Sequence, residues 1–250
     1  ASRTRSISAS SDRRMKDDWI DAAFAAAWDA SPLAGSPARP FMIALVIAVL
    51  QRLAVRDRAV AILEIGSGSG LVTDRMLDAI SSAQVDGVDF SQPMMTQAAQ
   101  RLRRHGARFR QLSMDLTSFD AGMLSGKRYD AIVILQVLHE LPRASKMQVL
   151  TQLRPHLAAG GILLYGERLR AKHDLFALPH EAVWNALCEW TPDVRQPPYA
   201  ERVARILSKE DFTVTLAEEF AALSEASYVA EPLVVLGDRC LIAAVPAMRD

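Results

Sequence analysis

A strand that runs straight into alternating glycines constrains this chain more than any other stretch. Ile62-Leu63-Glu64-Ile65 is apolar apart from one acid, and Gly66-Ser67-Gly68-Ser69-Gly70 follows before a helical pattern begins at Leu71. Glycine adopts positive φ without strain and lets a ligand approach the backbone closely. Three at alternate positions after an acidic strand end therefore read as a ligand-binding turn, with a ligand-free tight turn as the plain alternative. A dinucleotide site needs glycines at the first, third and sixth positions. Counted from Gly66, the sixth position is Leu71, so that spacing fails.

The surrounding pattern says what kind of sheet holds this turn. Val60–Ile65, Val85–Asp89, Ala131–Leu135 and Ile162–Tyr165 are short apolar runs, and Phe109–Leu112 is a further short strand candidate. Between them lie helix candidates at Leu71–Ile80, Pro93–His105 and Ala144–Leu157. Runs that are apolar on both faces suit parallel strands covered on each side by crossover helices. The alternation predicts an open, doubly wound α/β sheet. A helix around Glu201–Lys209, a strand at Phe212–Leu216 and a last strand at Arg239–Val245 are expected to complete it.

Two regions fall outside the alternation. The first fourteen residues are rich in Ser and Arg and read as a frayed head. From Asp17 the spacing of Ile20, Phe24 and Trp28 predicts a helix capped by Asp17 or Asp18 and closed by Ser31-Pro32. Phe41–Val55 predicts a buried apolar helix. Residues 168–200 hold Trp184 and Trp190 with four prolines. The expected organisation is a helical cap segment over 1–55, a core over 56–167, a cap insertion over 168–200 and completion of the sheet over 201–250.

Further motifs follow the glycines in order. Val88-Asp89-Phe90-Ser91 ends the second strand about twenty residues downstream, where a carboxylate offers two acceptor oxygens to the two hydroxyls of a ribose. Gln111 to Leu116 carries Asp115 at the next strand end, and Tyr129 to Leu141 runs through the fourth strand into Gln136, His139 and Glu140. Glu64-x-Gly66-x-Gly68-x-Gly70 and this ordered series resemble the class I S-adenosylmethionine-dependent methyltransferases, across roughly 56–167 and more loosely 201–246. One departure is Ala158-Ala159-Gly160-Gly161, where the family more often has Pro-Gly-Gly.

The resemblance implies a Rossmann-like, seven-stranded sheet, mostly parallel with an antiparallel last strand, and S-adenosyl-L-methionine as cofactor. It implies that Glu64 and the backbone around Gly66, Ser67, Gly68, Gly70 and Gln136 hold the methionine end. Asp89 would bind the ribose, Phe90 and Met94 would border the adenine, and Asp115 with the Leu116 N–H would meet the adenine edge.

Methyl transfer from a sulfonium needs alignment and exclusion of water, and a base only if the acceptor arrives protonated. His139, with an ordinary pKa near neutrality, and Glu167, just past the fifth strand, are the candidate catalytic groups. Either could instead be held in packing alone. Trp19, Trp28, Trp184 and Trp190, together with His139, are the candidate walls of an acceptor pocket; ordinary packing of added helices is the alternative. His173 and His180 fit no metal-ligand spacing, and no metal is expected.

Composition narrows the partners. Lys+Arg and Asp+Glu both total 29 over 250 residues, so the chain lacks the electrostatic footprint of a nucleic-acid binder. The longest apolar run, Phe41–Leu50, is too short to span a bilayer. Cys188 and Cys240 fit no CxxC pattern and suggest a reducing compartment. The expectation is a cytoplasmic methyltransferase acting on a small molecule, binding neither nucleic acid nor membrane. Its rivals are an enzyme that uses the same cofactor for cyclisation or decarboxylation, and a non-catalytic binding protein of the same fold.

Overall fold

The computed structural model describes residues 18–30, 36–54, 58–192, 196–208 and 212–248. The expected head, the Asp17 cap and the Ser31-Pro32 stop lie outside the described residues. The strands are β1 (Val60–Ile65), β2 (Ala83–Asp89), β3 (Phe109–Ser113), β4 (Tyr129–Leu135), β5 (Leu157–Arg168), β6 (Tyr228–Leu236) and β7 (Arg239–Pro246). They form one sheet in the order β3-β2-β1-β4-β5-β7-β6. β1 pairs in parallel with β2 and β4, β2 with β3, and β4 with β5. β7 runs antiparallel to both of its neighbours and is the one reversed strand. Strand order turns back between β1 and β4, and in such sheets the crevice beyond that point is where ligands bind.

The helices are α1 (Ala22–Ala30), α2 (Arg39–Leu53), α3 (Leu71–Ala79), α4 (Gln92–Leu102), α5 (Arg143–Leu153), α6 (Ala177–Trp190), α7 (Tyr199–Ser208) and α8 (Leu216–Glu225). Each face of the sheet has its own core. Ile62, Val85, Ala131, Val133, Leu164 and Leu241 pack with residues of α2, α3 and α4. Leu63, Ile65, Val88, Ile132, Ile134, Leu163 and Tyr165 pack with α5 and α8. Alternate residues of one strand thus serve opposite cores, which is why the strands read as unbroken apolar runs. Each such Leu or Ile contributes about 1.5–3 kcal/mol, enough for the sheet to accommodate buried charge.

One such charge is structural. Asp86, buried in β2, accepts from Arg110 Nε at 3.0 Å and Nη2 at 2.7 Å, from Lys127 Nζ at 2.9 Å and from the Tyr129 hydroxyl at 2.7 Å. Burial alone would raise its pKa, but the bonds from Arg110, Tyr129 and Lys127 bring it below the ordinary value.

Two expectations are corrected. Phe212–Leu216 is not a strand: only Val214 bridges to Leu169, and a helix starts at Leu216. The alternation there hides a capping box, in which the Glu218 N–H donates to Thr215 Oγ1 while Glu218 Oε2 accepts from the Thr215 N–H at 2.7 Å. The remaining strand is instead β6, whose Pro232 argues against a central strand. Pro is tolerated here because β6 is an edge and the register shifts between Pro232 and Val234. The Phe41–Val55 helix is buried on one side only: Met42, Ile43, Val46 and Leu50 face the sheet, while Leu45 is exposed.

Candidate functional site

All three glycines of the turn have positive φ: 70° at Gly66, 53° at Gly68 and 78° at Gly70. Their surroundings separate their roles. A Cβ on Gly66 would lie 2.4 Å from Val137 Cγ2, and one on Gly70 would lie 2.9 Å from Leu102 Cδ1. A Cβ on Gly68 would meet nothing within 4 Å. Gly66 and Gly70 therefore serve close packing, and Gly68 alone fronts open space. Ser67 Oγ, at the same turn, is buried with no hydrogen-bond partner among the described residues.

Beneath the turn, Glu64 is buried and accepts a bond from Thr73 Oγ1 on α3. Burial pushes its carboxyl up to about 8, against the opposing pull of Thr73 and Arg39. Arg39, at the start of α2, is lowered to about 10 by burial, partly offset by Glu64, and lies 5.4 Å from the Trp28 ring centre. Sequence reasoning did not single out Arg39. Its only signal is a cation just before Pro40 at a helix start, which nothing local links to Glu64.

Asp89 ends β2 facing the same turn. Its Oδ2 accepts from the Gly68 N–H at 2.7 Å and its Oδ1 from the Ser91 N–H at 2.9 Å. Burial raises its pKa, and those backbone donors counter the rise. Ser91 caps α4, with Oγ accepting from the Met94 N–H at 3.2 Å. Phe90 is half-buried and Met94 fully buried. Asp115 Oδ1 accepts from the Thr117 N–H and Oγ1, both at 2.9 Å, an Asx turn that orients the carboxylate, and Leu116 is buried beside it. Gln136, one residue past β4, has φ 60° without being glycine, and its N–H donates to the Gly166 carbonyl at 2.7 Å. Left-handed non-glycine backbone is uncommon and concentrates at ligand sites.

The two catalytic candidates are brought together. His139 Nδ1 lies 2.7 Å from Glu167 Oε2, and both residues are buried. Glu167 Oε1 accepts from the Leu138 N–H at 2.7 Å, and Oε2 also accepts from the Arg168 N–H at 3.1 Å. Burial acts to raise the Glu167 pKa, but His139, Lys146 and these backbone donors hold it well below the carboxylate range. In a neutral imidazole, an ionised Glu167 at Nδ1 favours the tautomer with its proton there, which leaves Nε2 to accept. Behind the pair, Lys146 Nζ donates to Glu219 Oε1 at 2.8 Å and the Tyr165 hydroxyl to Glu219 Oε2 at 2.8 Å, all buried.

The tryptophans do not form one wall. Trp19 meets Phe24 and Trp28 edge-on, at 5.0 and 5.4 Å. Trp184 is buried against Tyr199 at 5.9 Å, and Trp190 is exposed at the end of α6 with Phe41 at 6.1 Å. The N-terminal cluster is tied to the site. Trp19 Nε1 donates to Glu140 Oε2 at 2.9 Å, and the Trp19 carbonyl accepts from Ser91 Oγ. Arg101 joins Asp29 at 2.7 Å to Ser69 Oγ at 2.9 Å. His173 accepts from the Leu175 N–H at 3.1 Å as the cap of a short turn.

With this geometry in place, comparison with known proteins is decisive for the core. Residues 63–163 match a family model described as a methyltransferase domain. In this stretch the chain is similar to that family. The stretch spans the glycine turn, Asp89, Asp115 and the His139 loop, and ends within β5. A malonyl-[acyl-carrier protein] O-methyltransferase of Halalkalibacterium halodurans is 30% identical over 128 residues, covering 49% of this chain and 46% of that one. The highly reducing polyketide synthase ACTTS3 of Alternaria alternata is 30% identical over 138 residues, 52% of this chain but 6% of that protein. The chain thus spans less than half the length of these curated relatives.

Among solved structures, the DhpI–SAM–HEP complex is similar with a TM-score of 0.62 at 17% identity, covering 96% of this chain and 100% of that one. The CurJ carbon methyltransferase aligns with a TM-score of 0.55 at 22% identity over 76% of this chain and 49% of its own. These likenesses show the fold alone, which this chain shares with both structures.

Proposed function

We propose that the chain is an S-adenosyl-L-methionine-dependent methyltransferase acting on a small molecule by in-line transfer to an acceptor nucleophile. The observation that carries the reading is the pairing of Gly68 with Asp89: an open approach over a left-handed glycine, beside a carboxylate whose oxygens each already hold one backbone N–H. Each oxygen keeps a lone pair for one ribose hydroxyl. When bound, the cofactor supplies an activated methyl group.

The residues of this chain do the rest. Glu64, Arg39 and the backbone near Gly66 and Gln136 hold the amino-acid end; Phe90, Met94, Asp115 and Leu116 hold the adenine. His139 takes the acceptor's proton at Nε2, and Glu167 fixes its tautomer. Residues 1–55 and 168–200 act as the cap over the core 56–167, and 201–250 complete the sheet. Trp19, Trp28, Trp184 and Trp190 bound the acceptor side from that cap. Balanced charge supports an acceptor other than nucleic acid, and among the described residues no helix is long and apolar enough to cross a membrane. Residence in the cytoplasm belongs to the same proposal, supported by Cys188 and Cys240 both being free thiols.

The direct test is Asp89→Ala. Losing an acceptor for two hydroxyls is expected to weaken S-adenosylmethionine binding by about 1–3 kcal/mol. Calorimetry finding wild-type affinity in a folded variant would remove the ribose assignment and with it the reading.

Glu64 gives a second test. Its carboxyl sits at about 8 against an ordinary 4.5, so the free chain holds a proton there at neutral pH. A raised acid favours the folded state below its ordinary pKa, and that advantage is lost as pH rises through the folded value. The cationic amino-acid end of the cofactor favours the ionised carboxylate, so binding at pH 7 is expected to release close to one proton. Affinity should then rise about tenfold from pH 6 to pH 7 and level off as pH passes about 8. Binding heats that do not depend on the buffer's ionisation enthalpy would show that Glu64 does not meet that end.

A further inference from the structure

At the carboxyl end of β5, where β7 begins, a guanidinium is buried with part of its donor capacity unmet. Arg239 opens β7 and is 1% exposed. Its cross-strand partner is Arg168, while the next pair is Glu167 with Cys240. Opposed residues share a face and successive residues alternate. Arg239 therefore leaves the sheet on the α2 side, next to the strand position of the dyad carboxylate and on the opposite face.

Its Nη1 donates to the Asp238 carbonyl at 2.9 Å and lies 3.0 Å from Asp238 Oδ2. Nε and Nη2 are buried and have no hydrogen-bond partner among the described residues. Those two nitrogens form one edge of the guanidinium fork. It is the edge with which Arg110 grips both oxygens of Asp86, at 3.0 and 2.7 Å. Asp238 does not serve that edge: its Oδ2 lies at Nη1 and also accepts from Arg202 Nε at 3.4 Å and Nη2 at 3.2 Å. Arg202 in turn lies 4.6 Å from the centre of the Trp184 ring, so this corner is part of the region beneath α6 and α7. Leaving buried donors of a charged group unpaired is costly, and a bidentate oxyanion is the partner that such an edge fits.

We propose that the Nε–Nη2 edge of Arg239 binds an oxyanion carried by the acceptor, a carboxylate or a phosphate, and so selects acidic small molecules for methylation. The inference rests on reading the cap side as the acceptor side, and it names the chemistry of that acceptor. A neutral analogue leaves the edge bare and is disfavoured, whereas an acid satisfies both N–H groups at once.

The test uses the full chain with acetate, inorganic phosphate and chloride at matched ionic strength, read by calorimetry and by the rise in melting temperature. Saturable binding of acetate or phosphate over chloride is expected, and preference between the two tells a carboxylate from a phosphate. Arg239→Met should weaken that binding at least tenfold. Arg239→Lys, which keeps the charge in case the first variant does not fold, should also weaken it because the two-point edge is gone. In the wild type, the Arg239 Nε–H resonance should shift along the same titration, a readout that requires no variant. Absence of saturable binding, equal binding by either folded variant, or an unmoved Arg239 resonance overturns the proposal. S-adenosylhomocysteine affinity measured in the same preparation separates the two readings. A chain that binds the cofactor product but no anion refutes this site alone, and one that binds the anion through Arg239 but no cofactor refutes the methyltransferase reading alone.

Discussion

Gly68→Val is expected to fold and to lose S-adenosylmethionine binding by more than about 100-fold, or roughly 2.8 kcal/mol. Forcing a branched side chain to φ 53° costs about 1–2 kcal/mol, well within the stability of a domain this size. A Cβ there meets nothing of the protein within 4 Å. It fills the approach that the cofactor needs. Gly66→Val gives the contrast: its Cβ would press on Val137 at 2.4 Å, so stability falls along with binding. Melting temperature and cofactor affinity measured on both variants decide the matter. Normal affinity in Gly68→Val would make the turn a mere connection.

His139→Ala should lower methyl transfer by about 10²- to 10⁴-fold while leaving cofactor affinity near wild type. Glu167→Gln should follow it. An amide nitrogen facing Nδ1 forces that nitrogen to accept, which puts the imidazole proton on Nε2 and removes the base. Single-turnover transfer of a labelled methyl group, with cofactor affinity in parallel, separates this from a packing role. A variant with lower thermal stability but unchanged transfer per folded molecule would return His139 to the bland reading.

The glycine turn, Asp89, Asp115 and the His139 loop were legible because each lies where a buried strand gives way to a turn, a transition marked within a few residues of sequence. The strands β1, β2, β4 and β5 were legible as short apolar runs, whereas β3, which carries Arg110 and Gln111 and is only partly buried, was legible as a short candidate between helical stretches. β6 and α8 were not: Pro232 masks an edge strand, and the Thr215–Glu218 box sits inside an alternation that imitates one. Arg39 and Arg239 escaped notice because their meaning depends on partners, Glu64 and Asp238, that only the fold supplies or denies. Even Asp238 adjoins Arg239 in sequence, yet which edge of the fork stays unmet is a matter of geometry. The tryptophan pattern was legible as an excess outside the core, but not as two separate clusters.

The ties from Trp19 also govern the order in which the protein comes together. Trp19 leaves the ribosome before its partners Ser91 and Glu140, which lie 72 and 121 positions further on. Closing loops of that length is entropically slow, so the N-terminal segment docks only after β1, β2 and β4 have assembled. What docks last is also the first to let go, because few contacts hold it against that entropy. Amides of α1 are therefore expected to exchange with solvent ahead of those in β4, and exchange at equal rates would mean that segment and sheet form one cooperative unit.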